Sequence, residues 1–271
     1  MNKFKSFEES RLYTRSLNLS SQSEWYGFIK GRSELRIPTT PSKTYKNKWV
    51  SWMDWLDYEF DRSNSNRKHD VNELFFETWS HDMAYILGMW FADGCITKTD
   101  CFQISLHKKD VYLLEQIKKV MESEHKVSSY DNCSTLHIYS KKIYDNIKEL
   151  GGKERKSLDV GFPFVPKEFM PDFIRGYFDG DGCICFSKSM NYYISTFVTA
   201  SEDFAKGLFK VLKKNINGLG GSVRECDESK NKYYRLYFNK YDTIKLGEYM
   251  YLTPSKLYLV RKKDLFNKGA L

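Results

Sequence analysis

Two nine-residue segments, GMWFADGCI at 88–96 and GYFDGDGCI at 176–184, say most about how this chain can fold. They share the leading Gly, the aspartates Asp93 and Asp181, and the trailing Gly-Cys-Ile, 88 residues apart. The likeness continues downstream. ISLHKKDVYLLEQIKKVM (104–121) parallels FVTASEDFAKGLFKVLKKN (197–215), each a strand-like run leading into an amphipathic helix. LHIYSKKIYDNIKELG (136–151) parallels YRLYFNKYDTIKLGEYM (234–250), again strand then helix, and RKSLDV (155–160) parallels SKLYLV (255–260). The same elements written twice in one order predict two like halves.

Periodicity supplies the elements. Apolar residues at 83, 86, 87, 90 and 91 predict a helix over 81–92, and Pro171 suits the first turn of another over 171–180. Each helix is expected to stop at Asp-Gly, with the glycine in the left-handed conformation. In CFQISLH, Phe102, Ile104 and Leu106 alternate with Gln103, Ser105 and His107, which reads as a strand with one polar face. Each half then runs helix, strand, strand, helix, strand, strand, helix. Gly88 and Gly176 fall inside the two helices, where Gly costs about 1 kcal/mol relative to Ala. Close backbone approach justifies that cost. The helices are expected to pack through these glycines and bring Asp93 beside Asp181 on a pseudo-twofold axis.

Two adjacent carboxylates repel, and one pKa rises unless a cation neutralises them. As hard oxygen donors they suit Mg²⁺, with other divalent ions able to substitute, and helix C-termini add carbonyl oxygens. The chain holds 43 Lys and Arg against 35 Asp and Glu, a net charge of +8, which favours a polyanionic partner. Together these suit phosphodiester hydrolysis. An EF-hand starting at Asp179 fails, because Cys183 and Met190 stand at its fifth and twelfth positions. A two-carboxylate glycosidase has no support in the basic charge. A plain helix-ending turn remains the alternative for either Asp-Gly taken singly.

ILGMWFADG (86–94) and IRGYFDGDG (174–182) resemble the two signature helices of the LAGLIDADG homing endonucleases in their single-chain, two-motif form. The resemblance covers about residues 79–271. It implies an α+β fold of two αββαββα halves whose curved sheets form a saddle on double-stranded DNA with a long specific target. It also implies a monomer, Mg²⁺-dependent staggered cleavage, and homing of an intron- or intein-type element. The same fold also serves RNA maturases and non-cleaving DNA-binding proteins, and the presence of both acids favours the enzyme. The motif's last acid falls on Asp93 and Asp181, and the carbonyls of Ala92 and Gly180 complete the metal contacts. Asp179 matches an earlier acid of the motif, but Phe91 stands in its place in the first copy, so a capping or DNA-facing role is expected for it. The family also places a basic residue near each site. Lys156 and Lys256 occupy matching places in the repeat, with an exposed or phosphate-binding lysine as the alternative reading. The polar strand faces nominate Gln103, Ser105, His107, His137, Arg224, Arg235 and Tyr237 for DNA contact.

Residues 1–57 form a separate block, with ten basic and six acidic residues and four of the six tryptophans. Trp49, Trp52 and Trp55 recur at helical spacing and read as core rather than as a base-stacking platform. The block resembles the integrase-type repeat units beside some phage and viral DNA enzymes, which implies an accessory DNA-binding or docking module, with a structural cap as the alternative. After this block the stretch 58–78, which opens with the polar run DRSNSNRKHD, reads as linker, followed by a first half over 79–166 and a second over 167–271. No apolar run is long enough to span a membrane, and no signal-type segment opens the sequence. Six scattered cysteines without a CxxC pair are expected to be thiols in a reducing, intracellular compartment.

Overall fold

Alternating strands and periodic helices turn the repeat into matched elements. A computed structural model describes residues 4–19, 21–46, 48–57, 69–154, 156, 158–228 and 231–269. The chain divides into two units, 1–67 and 68–271.

The first unit carries α1 (Phe7–Arg15), α2 (Gln22–Ile29), α3 (Pro41–Thr44) and α4 (Trp52–Leu56). Ser6 opens α1 with a reciprocal capping box to Glu9. Trp25 and Trp55 are fully buried, 5.9 Å apart edge-to-face, with Phe7, Ile29, Ile37 and Leu56 around them. Trp49 and Trp52 pack against this core, so the aromatic stripe holds the small unit together. Arg11 and Arg15 both reach Asp54 and pin α1 to α4.

The second unit is α+β. Its first half is α5 (His81–Asp93), β1 (Gly94–Thr97), β2 (Cys101–His107), α6 (Val111–Val120), β3 (Val127–Tyr130), β4 (Cys133–Tyr139) and α7 (Lys141–Glu149). Its second half repeats the order: α8 (Met170–Asp181), β5 (Gly182–Ser187), β6 (Tyr192–Thr199), α9 (Glu202–Asn215), β7 (Ser222–Glu228), β8 (Asn231–Phe238) and α10 (Lys240–Tyr251), with α11 (Val260–Gly269) following. Each half folds one antiparallel four-stranded sheet, ordered β1-β2-β4-β3 and β5-β6-β8-β7. Equivalent positions pair in equivalent register: Gly94 with Ile104, Gly182 with Phe197. On β2, Phe102, Ile104 and Leu106 face the core, while Gln103, Ser105 and His107 face outward. The chain is therefore two αββαββα halves in one unit, with a small helical unit before them.

Two expectations need correction. Of the stretch 58–78, residues 58–68 lie outside the described residues, but 69–78 is not linker. Val71 and Phe76 are buried in the second unit's core, and the Phe76 ring lies 5.6 Å from that of Phe102. The polar letters around these two apolar residues obscured them. Nor do Gly94 and Gly182 supply a left-handed stop. Both are extended, at φ −103° and −88°, and lead straight into β1 and β5. Crowding requires glycine here instead: a Cβ would lie 2.3 Å from a ring carbon of Trp90 or of Phe178.

Candidate active site

The long helices α5 and α8 carry the repeat's shared residues and pack against each other along their lengths. Their inner faces, Met83 to Phe91 and Met170 to Asp179, are buried. A Cβ on Gly88 would lie 2.1 Å from the Phe173 carbonyl oxygen, and one on Gly176 would lie 2.0 Å from that of Tyr85. Helix backbones thus touch where both glycines stand. That contact sets the two C-terminal ends side by side, where a Cβ on Gly180 would lie 2.9 Å from an Asp93 carboxylate oxygen.

Burial pushes the Asp181 carboxyl up to about 6, with the neighbouring Asp93 charge as the next cause. The Asp93 side chain reaches solvent, yet protein crowds it on most sides, and partial burial raises its pKa as well. Lys156 and Lys262 draw both carboxyls back toward the charged form. A cavity of about 70 Å³ opens beside Asp181, Ala92, Lys156 and Tyr177. Among the described residues no cluster of three metal-ligating side chains occurs. The donors gathered here are two carboxylates and main-chain carbonyls, a set that suits an ion keeping several of its own waters.

The two lysines mark these carbonyls as cation-seeking. Lys156 Nζ donates to Ala92 O at 3.4 Å and to Gly94 O. Lys262 Nζ donates to Gly180 O at 3.3 Å, Gly182 O at 2.6 Å, Phe178 O at 2.7 Å and Asp179 O at 2.7 Å. Ala92 and Gly94 correspond to Gly180 and Gly182 in the repeat, so Lys262 is the counterpart of Lys156. Lys256, expected in that place, is instead exposed on the segment before α11. The tails of the repeat match Lys256 to Lys156, whereas the amine that meets the second motif's carbonyls stands six residues later, inside α11. Lys262 is also legible by another signal: Leu259, Lys262 and Phe266 lie on one buried face, where a lone lysine is anomalous. Burial lowers both amines, Lys262 to about 8, with Asp179 the main opposing charge.

Asp179 lies away from the surface, which excludes the DNA-facing alternative. It is buried, and its Oδ2 accepts from the Tyr85 hydroxyl at 2.7 Å and from Leu259 N, just before α11, at 2.8 Å. Its Oδ1 has no protein hydrogen-bond partner, and burial raises its pKa to about 6. Beside it, Arg175 is 1% exposed and bonds Asp172 at 2.7 Å, Leu257 O at 3.0 Å and Thr253 at 2.6 Å. His81 meets the other oxygen of Asp172 at 2.7 Å. Leu87 and Phe91 stand at the places of Arg175 and Asp179 in the first copy, so this polar spine belongs to the second copy alone.

A pH prediction arises from Asp179. Its folded pKa exceeds the ordinary 3.8, so the folded state holds the proton more tightly. The stability it contributes is full below pH 4 and is lost as pH rises through 6, about 3 kcal/mol in all. Asp179→Asn keeps the acceptor and removes the titration. Urea unfolding across this window should therefore show wild type losing stability relative to the variant. Parallel curves would contradict the burial cost assigned here.

The nominated strand residues are accessible on their sheets. Gln103 lies opposite His137, and Ser105 bonds Gln103 at 3.1 Å and Thr135 at 3.0 Å. On the second sheet Arg224 lies directly opposite Arg235. Like charges so placed destabilise a sheet unless something anionic meets them. Arg224 lies 5.9 Å from the Tyr237 ring centroid and Arg235 5.6 Å from that of Tyr233, which spreads the two cations along the strands. No described helix is long and apolar enough to cross a membrane.

Comparison with known proteins finds similarities of three kinds. A family model described as "LAGLIDADG-like domain" matches residues 168–250, most of the second half. It does not touch residues 1–57, so the integrase-type resemblance gains no support from it. Among curated proteins of Methanocaldococcus jannaschii, the "Probable translation initiation factor IF-2" is 27% identical over 164 residues, 56% of this chain and 13% of that protein. The "DNA-directed RNA polymerase subunit Rpo1C" is 29% identical over 110 residues, 38% of this chain and 12% of that protein. The matched stretch is thus a small part of either relative. Solved structures similar to this chain include the meganuclease I-AabMI bound to uncleaved DNA, at 17% identity and TM-score 0.48 over 69% of this chain and 88% of that one. I-DmoI in complex with DNA and Mn gives 19% and 0.45 over 65% and 98%.

Proposed function

We propose that this chain is a metal-dependent, site-specific DNA endonuclease of the homing type. The observation carrying the reading is the pairing of Asp93 and Asp181 at two locked helix ends, each with a buried lysine on the adjoining carbonyls. Asp93 and Asp181, with the carbonyls of Ala92 and Gly180, would hold Mg²⁺ or a similar hard cation. Such an ion supplies an acidified water and a countercharge for the leaving oxygen. The chain's own residues do the rest. Lys156 and Lys262, fixed and largely dry, place positive charge where negative charge develops on the phosphate. Arg224 and Arg235 would hold phosphate or reach guanine edges, while Gln103, Ser105, His107, His137 and Tyr237 offer mixed donors and acceptors to bases. Residues 1–57, net basic, would act as an accessory contact to DNA or to a partner.

The homing element of the proposal has its own support. Stretches of similarity to a polymerase subunit and to an initiation factor, amounting to 12% and 13% of those proteins, are what a mobile element lodged in unrelated host genes would leave. The second reading, a maturase or non-cleaving binder of the same fold, keeps the sheets and makes the acid pair idle. Incubating the protein with a randomised duplex library and Mg²⁺, then sequencing new ends, separates the two. The proposal expects ends at one long, specific sequence and none with EDTA. Duplexes retained but uncut, by a protein that accelerates intron RNA splicing, would establish the second reading instead.

A further inference from the structure

Each active-site lysine sits on a segment that the opposite half holds in place. We propose that Asp110 and Ser201 are a pair of cross-half latches: positioning residues that fix Lys262 and Lys156. The proposal deepens the nuclease reading and rests on it for its catalytic consequence, but not for its structural one.

Asp110 is the N-cap residue of α6 and Ser201 that of α9, the corresponding helix of the other half. Ser201 caps α9 by accepting from Phe204 N at 3.2 Å, and its hydroxyl donates to Val160 O at 2.6 Å. Val160 N in turn donates to Lys156 O at 3.2 Å. The segment that places Lys156 on the first motif is therefore tied to a helix of the second half.

Asp110 does the equivalent work for the other lysine. It makes no side-chain cap bond to α6, although an acid at this position ordinarily serves the helix's free N–H groups. Instead it is 4% exposed and receives the Arg261 guanidinium, Nε at 3.0 Å and a terminal nitrogen at 2.9 Å. Val260 N donates to the Tyr112 hydroxyl at 2.9 Å, a second bond from the first half. Arg261 directly precedes Lys262. The helix that delivers Lys262 to the second motif is thus clasped by the first half through a two-toothed ion pair whose carboxylate is buried and whose guanidinium is exposed. Each amine is thus held on the carbonyls of its own half with help from the other half, which ties each strand's chemistry to the docking of the two.

Amine acetylation by N-hydroxysuccinimidyl acetate, read lysine by lysine by mass spectrometry on the full chain, tests the latches without DNA or metal. In wild type both lysines should be protected. Asp110→Ala should raise labelling at Lys262 about tenfold or more, the effect of losing ~1.4 kcal/mol of local stability, with Lys156 unchanged. Ser201→Ala should do the reverse. Tyr112→Phe removes only a hydroxyl and should give a smaller rise confined to Lys262, which serves if Asp110→Ala does not fold. Labelling that rises at both lysines in each variant, or at neither, overturns the latches. A protein that cut no DNA would leave this result intact and count only against the nuclease reading. On a cleaved target recovered from the library, Asp110→Ala and Ser201→Ala should each slow a different strand while DNA affinity stays unchanged. Equal slowing of both strands would overturn the positioning role.

Discussion

Asp181→Asn should leave a folded protein that still binds DNA but makes double-strand breaks roughly a thousandfold more slowly or worse, a loss of ~4 kcal/mol in transition-state stabilisation. Asp93→Asn should behave alike. Asn keeps the size and an acceptor oxygen, so packing changes little, but the charge that would draw a divalent cation is halved. The Asp181 carboxyl is raised to about 6 by burial and by Asp93. Removing one acid relieves that repulsion, so the variants should be no less stable than wild type near neutral pH. Thermal melts alongside cleavage rates separate the two effects. A variant that cuts at the wild-type rate would remove the acid pair from the chemistry.

The second large effect falls on stability. Gly176→Ala should cost about 3 kcal/mol or more, because the added carbon meets backbone rather than a yielding side chain. The Tyr85 carbonyl oxygen would lie 2.0 Å away and Met89 N 2.9 Å away. The helices must part to admit it, and their C-terminal ends, with Asp93 and Asp181, part with them. The melting temperature should fall by roughly 10 °C for a unit of this size. Gly27→Ala is the control: nothing lies within 4 Å of its site in α2, and Ala favours helix there. Equal stability for Gly176→Ala and wild type would mean that α5 and α8 do not touch through these glycines.

Much of this architecture is legible in the letters because it repeats. The alternation in CFQISLH sets β2 and its outward face, and two glycines five residues before two aspartates set the helix contact. What stays hidden is what the repeat does not share. Lys262 and Lys156 lie on segments of different secondary structure, so the matched tails selected Lys256 in error. Asp179 and Arg175 have no counterparts in the first copy, and their partners Tyr85, Leu257 and Leu259 lie about 80 or more residues away in sequence. Burial of such groups depends on tertiary contacts that no local pattern records. Gly94 and Gly182 show a subtler limit: glycine is required at both, but crowding rather than a positive φ requires it.

Mapping both strands of a target recovered from the randomised library, on a denaturing gel with Mg²⁺ and with EDTA, tests the central claim most directly. The paired-site account predicts one cut per strand, offset by a few base pairs, with both cuts lost in EDTA. A nick confined to one strand, or cleavage that persists in EDTA, would contradict it.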